Sequence, residues 1–154
     1  PSGGVDRATL AFLVSAYHEE EVVKEEKTEK EQKEYKDLLA RGLVEPSDME
    51  LFICDADGSN MRQLTELGKA NWSPFFHPSG EKVLFSSNFE AERGFPFNLY
   101  MIDLDGKNLK RVTHGETFDA FPVFSNDGKY LAFSSNRNNG GGRDTNLFIA
   151  EWQD

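Results

Sequence analysis

Apolar residues in this chain come in short runs broken by polar, glycine-containing turns. Leu51-Phe52-Ile53-Cys54, Leu99-Tyr100-Met101-Ile102 and Asn146-Leu147-Phe148-Ile149 are such runs. They are spaced evenly. Leu51, Asp55, Asp57, Gly58, Asn60 and Thr65 return as Leu99, Asp103, Asp105, Gly106, Asn108 and Thr113. Pro74, Phe76, Gly80 and Phe85-Ser86-Ser87-Asn88 return as Pro122, Phe124, Gly128 and Phe133-Ser134-Ser135-Asn136. The offset is always 48 residues, and residues 51–98 and 99–146 are identical at 15 of 48 positions. A third copy opens at Asn146.

Each copy resolves into four short strands, a to d. In the complete copy they are about Trp72–Phe76, Lys82–Ser86, Asn98–Ile102 and Leu109–Thr113. Ser79-Gly80 and Asp127-Gly128 mark a–b turns; Asp57-Gly58 and Asp105-Gly106 mark c–d turns. Asp-Gly favours the positive φ angles of two-residue hairpins. Strand c is apolar at consecutive positions, so both of its faces must be covered. Polar Arg62, Gln63, Lys110 and Arg111 suit an outer edge. A strand-rich repeat of this period predicts an all-β fold: β-propeller blades of four antiparallel strands.

The first copy is interrupted. Leu10-Ala11-Phe12 resembles Leu131-Ala132-Phe133, but Phe12 lies 39 residues before Leu51, where the later copies have 14. About 25 residues are inserted there. The segment from His18 to Arg41 is dense in Glu and Lys, and Glu20/Lys24, Glu26/Lys30 and Glu29/Lys33 stand at helical spacing with Glu first. Gly42 and Pro46 are stop signals. The expected organisation is a partial propeller over residues 1–154. Residues 1–17 and 49–65 form a first partial blade, with a helical insertion at 18–48. Residues 66–113 form a complete blade, and 114–154 a last blade lacking its outer strand. That is about two and a half blades, fewer than closure needs. The chain is therefore expected to be the C-terminal part of a longer propeller whose remainder is its first partner.

Charge and motifs narrow the function mostly by exclusion. Lys plus Arg total 17 against 27 acidic residues, a net charge of −10. Such a surface repels phosphate backbones, so nucleic acid is not an expected partner. The longest apolar run, Leu10–Val14, is too short for membrane insertion as a helix. Cys54 replaces Ile102 of the next copy and reads as a small core residue. Asp55–Asn60 and Asp103–Asn108 have the flavour of a calcium loop, but glycine falls at the fourth position, not the sixth. Turn chemistry is the expectation there. His18, His77 and His114 have no metal spacing. No catalytic residue, metal or cofactor is expected.

Antiparallel strands put the a–b and c–d turns on one face. The other face collects the insertion, the b–c loops Phe89–Phe97 and Arg137–Thr145, and the crossovers Glu66–Asn71 and His114–Asp119. Irregular loops on a rigid scaffold are where binding concentrates. The expected binding residues for a protein or small-molecule partner are Asn71, Trp72, Phe95, Phe97, Asp119, Phe121 and Arg143. Trp72 leads because aromatic side chains dominate binding energy.

The segments Met49–Asn60, Arg62–Thr65 and Phe121–Arg137 resemble the repeat of TolB-type propellers, which are WD-like blades without the Trp-Asp dipeptide. The resemblance covers residues 49–154 well and 1–17 weakly. It implies a non-enzymatic binding scaffold in the bacterial periplasm or cell envelope, or outside the cell. Similar repeats also form accessory propellers of exported peptidases, and such a role, with the catalytic domain elsewhere, is the alternative expectation. No catalytic residue carries over, because those repeats hold none.

Overall fold

The computed structural model describes residues 9–15 by their backbone, and residues 49–92, 94–142 and 144–153 in full. The expected helical insertion and Arg143 lie outside the described residues. The described residues form ten strands in three antiparallel sheets, packed face to face as propeller blades. The first sheet is β1 (Thr9–Ser15), β2 (Met49–Asp55) and β3 (Arg62–Gln63). The middle sheet is β4 (Asn71–Phe76), β5 (Lys82–Ser87), β6 (Asn98–Asp103) and β7 (Lys110–Arg111), in that order. The third is β8 (Asp119–Phe124), β9 (Tyr130–Ser135) and β10 (Asn146–Glu151).

The pattern of burial explains the consecutive apolar residues. Along β5, Val83 and Phe85 point one way, with Tyr100 and Ile102 of β6, onto Leu51, Ile53 and Leu64 of the first sheet and its edge. Leu84, with Leu99 and Met101 of β6, points the other way onto Phe124, Leu131 and Phe133 of the third sheet. Each such side chain is worth roughly 1.5–3 kcal/mol when fully buried. The third sheet has only one such neighbour among the described residues, so Leu147 and Ile149 of β10 are 70% and 69% exposed.

The recurring polar residues hold the frame. Thr65 and Thr113 accept the Leu51 and Leu99 N–H with their hydroxyls, at 2.8 and 2.9 Å. Asn60 and Asn108 donate to Asp55 and Asp103, each at 2.7 Å. Ser86 donates to the Asp119 carbonyl at 2.6 Å, tying one sheet to the next. Single parallel bridges, Met49 to Ala70 and Phe97 to Phe118, repeat the tie at the 48-residue offset.

Two local expectations change. The c–d hairpins are not two-residue turns. Gly58 N–H bonds to Asp55 O, and Asp55 N–H to Ser59 O, while only Gly58 has positive φ (83°) between them. This is a three-residue loop in which a turn is followed by a left-handed glycine bulge. The copy at Asp103–Lys107 is the same. The outer strand is also shorter than Leu109–Thr113. The Leu99 carbonyl takes both the Val112 and Thr113 N–H groups, at 2.8 and 3.3 Å, which closes the ladder after Arg111.

Candidate functional site: an aromatic patch on the loop face

The inner strands begin with a shared irregularity. In β4, Ser73 and Pro74 face a single residue of β5, and Ser73 adopts φ 52°. In β8, Phe121 and Pro122 repeat the bulge, and Phe121 adopts φ 56°. A left-handed conformation costs a non-glycine residue ~1–2 kcal/mol, so a phenylalanine there is a strained choice. The bulge turns Phe121 outward, 56% exposed.

Phe121 lies beside Trp72, with ring centroids 6.4 Å apart. Trp72 packs on Phe97 at 5.0 Å and edge-on to Phe118 at 6.0 Å. Phe95 closes the group, 5.6 Å from Phe97 and 6.2 Å from Phe118. Phe97 is fully buried and Trp72 half-buried, while Phe95 is 62% exposed. The five rings span the junction of the middle and third sheets on the face of the irregular loops. The indole Nε1 of Trp72 has no acceptor among the described residues. The cis Phe95–Pro96 bond lies in the b–c loop at the patch margin.

Four of the seven expected binding residues, Trp72, Phe95, Phe97 and Phe121, thus meet in one cluster. Asn71 and Asp119 lie beneath it, fully buried and occupied with the frame. Asn71 accepts from the Ser87 hydroxyl at 2.6 Å and donates to the Met49 and Gly68 carbonyls. Asp119 accepts from Ser135 at 2.6 Å and pairs with Arg137 at 2.6 Å. The Arg137 guanidinium also lies over the Phe133 and Phe148 rings. Phe118 belongs to the cluster although Ala70 holds its place one copy earlier, so the repeat gave it no prominence.

A recess of about 420 Å³ opens beside Phe95, lined by Glu90, Glu92, Tyr100, Arg111 and Glu116 among others. Glu90 Oε2 accepts from Tyr100 Oη at 3.0 Å and from Arg111 at 2.8 Å. Burial first, and then the hydrogen bond and charge of Glu90, push the Tyr100 phenol well above its ordinary value, so it stays a donor. Glu92 and Glu116 have no ion pair among the described residues.

On the opposite face, turn chemistry absorbs the acidic residues. Asp57, Asp105 and Asp127 are held below the ordinary carboxylate value by hydrogen bonds from Ser59, Lys107 and Ser125 respectively, the largest cause in each case. A larger groove of about 770 Å³ runs there past His77, Lys82 and Trp152. Its His77 Nδ1 lies 3.0 Å from Ser79 Oγ, within the a–b turn. The equivalent Ser125–Asp127 contact, at 2.7 Å, has the same turn-locking place. The described residues hold no group of three metal-ligating side chains and no helix able to cross a membrane.

No protein-family description matches the chain, and no curated protein matches it. Solved structures do. A structure from Agrobacterium tumefaciens assigned to TolB superposes with a TM-score of 0.56 at 21% identity, over 67% of this chain and 37% of that one. TolB from Acinetobacter baumannii gives 0.49 at 22% identity, over 68% and 24%. Hydrazine synthase from Kuenenia stuttgartiensis gives 0.48 at 14% identity, over 58% and 15%. The chain thus spans little more than a third of the first of these, and the likeness is one of fold: a TolB-like propeller fragment.

Proposed function

We propose that this propeller is a non-enzymatic scaffold that binds a protein partner through the aromatic patch on its loop face. The observation behind this is the convergence of Trp72, Phe95, Phe97, Phe118 and Phe121, with two of the five rings more than half exposed. Exposed aromatic groups on buried aromatic support are a preferred anchor for protein contacts. The bulge itself belongs to the frame, since Ser73 adopts it too, but only here does it carry an exposed ring, set beside Trp72. The resemblance of the repeat to TolB-type propellers favours the periplasm or cell envelope as the place of action.

The test is selection of short peptides from a random displayed library on the folded chain. Peptides selected on the native chain should lose binding to Phe95→Ala/Phe121→Ala. They should keep binding to a variant altered on the turn face, Lys107→Ala. Selected peptides indifferent to the phenylalanine pair would overturn the assignment of the site.

A further inference from the structure

We infer that the partner segment is basic as well as apolar: the loop face takes an aromatic or aliphatic side chain on the rings and a neighbouring lysine or arginine in the recess beside Phe95. This rests on the loop face being the binding surface, and it adds the chemistry of the occupant.

Three observations carry it. First, the recess and the patch are continuous, because Phe95 belongs to both. A ligand seated on the exposed Phe95 ring reaches the recess without crossing other structure. Second, the charge of the recess is unbalanced. Its charged lining among the described residues is Glu90, Glu92 and Glu116 against Arg111 alone. Arg111 is already engaged with Glu90 at 2.8 Å, and the Tyr100 hydroxyl donates to the same carboxylate. Among the described residues, Glu92 and Glu116 are left without an ion pair on an exposed rim. Third, Phe95 presents a ring to that rim with 62% of its surface free, so an incoming cation would meet carboxylates and a π face together. A guanidinium or ammonium satisfies both; an acidic segment meets only repulsion. The acidic positions are also local inventions. Glu92 and Glu116 align with Gly140 and Gly68 in the other copies, so the repeat frame does not require them.

The experiment is the same library selection, read for charge. On the native chain, enriched peptides should combine an aromatic residue with an excess of Lys or Arg. Replacing the basic residues of an enriched peptide by Glu should weaken it about tenfold, as expected for two exposed ion pairs plus a cation–π contact. Selection on Glu92→Gln/Glu116→Gln should keep the aromatic enrichment and lose the basic excess. A control, Glu81→Gln/Glu151→Gln, removes two carboxylates from the turn face and should change nothing. Circular dichroism of each variant should match that of the native chain, as a check on folding. Aromatic enrichment without basic excess on the native chain would overturn this inference and leave the binding surface standing. A basic excess that survives Glu92→Gln/Glu116→Gln would overturn it as well. Peptides that ignore Phe95→Ala/Phe121→Ala would bring down the surface itself, and this inference with it.

Discussion

The buried Asp119–Arg137 pair offers a sharp test of how the repeat is built. One copy earlier the same two positions hold Asn71 and Phe89. Asn71 receives the Ser87 hydroxyl as Asp119 receives that of Ser135. Phe89 packs on Tyr100 at a steep tilt, with centroids 4.9 Å apart, whereas Arg137 lies over Phe148, the Tyr100 equivalent. Converting this corner to its neighbour therefore needs two changes, Asp119→Asn and Arg137→Phe. Arg137→Phe alone strands a fully buried carboxylate. Breaking a buried pair costs ~3–5 kcal/mol, and the lower end applies because Arg137 is 33% exposed and two hydroxyls still serve Asp119. Asp119→Asn alone keeps the serine contact and loses one charged hydrogen bond to a partly solvated arginine, about 1 kcal/mol. Independent effects would sum to about 4 kcal/mol, but the double variant rebuilds a corner the protein already uses. It should lie within about 1 kcal/mol of the native chain, a coupling of about 3 kcal/mol. Urea unfolding followed by far-ultraviolet circular dichroism measures all four proteins. A double variant as unstable as the sum of the singles would refute equivalence of the two corners. Loop-face peptides should bind the double variant unchanged, because neither side chain belongs to the aromatic patch.

Four further outcomes are expected. Gly106→Ala should destabilise more than Gly58→Ala: both have φ near +80°, but only at Gly106 would the new Cβ meet a backbone oxygen, that of Leu64 at 3.2 Å. Thermal melts of the pair decide it, with ~1–2 kcal/mol expected from conformation alone at Gly58. Phe121→Gly should leave the melting temperature unchanged or raised while weakening peptide binding; a fall in stability would mean the ring serves packing. Leu84→Ala should cost ~2–5 kcal/mol by opening a cavity between the middle and third sheets, read by urea unfolding. The depressed pKa values of Asp57, Asp105 and Asp127 stabilise the fold above the unfolded carboxylate value, and that contribution is lost as pH falls through the lower folded values. The triple Asn variant should accordingly lose less melting temperature than the native chain between about pH 5 and about pH 2.

Identity between the copies made the frame legible. Asp55, Gly58, Asn60 and Thr65 recur because each closes the same hydrogen bond or turn every 48 residues, and the pattern shows it without coordinates. The hairpin class was not legible, since an Asp-Gly pair serves both a two-residue turn and a glycine bulge. Only the bond from Asp55 N–H to Ser59 O separates them. The proposed binding surface shows the opposite logic. Phe95, Phe118, Glu92 and Glu116 align with Arg143, Ala70, Gly140 and Gly68, so they stand where the copies disagree. Trp72 and Phe121 stood out by size, but their meeting depends on how two sheets abut. Asn71 and Asp119 sit at the right end of their strands, yet their polar groups turn inward, a rotation that sequence position does not encode.

The alternation along β5 has an evolutionary consequence. Val83 and Leu84 are neighbours in the chain, yet they serve different joints, and among the described residues the first and third sheets do not touch. A change in one codon therefore alters the tilt of a single joint and leaves the next as it was. The curvature of the whole array is inherited piecemeal, one joint at a time. A lineage can reshape how far apart its loops stand without redesigning any sheet, which gives duplicated copies a route to new partners before their frames diverge.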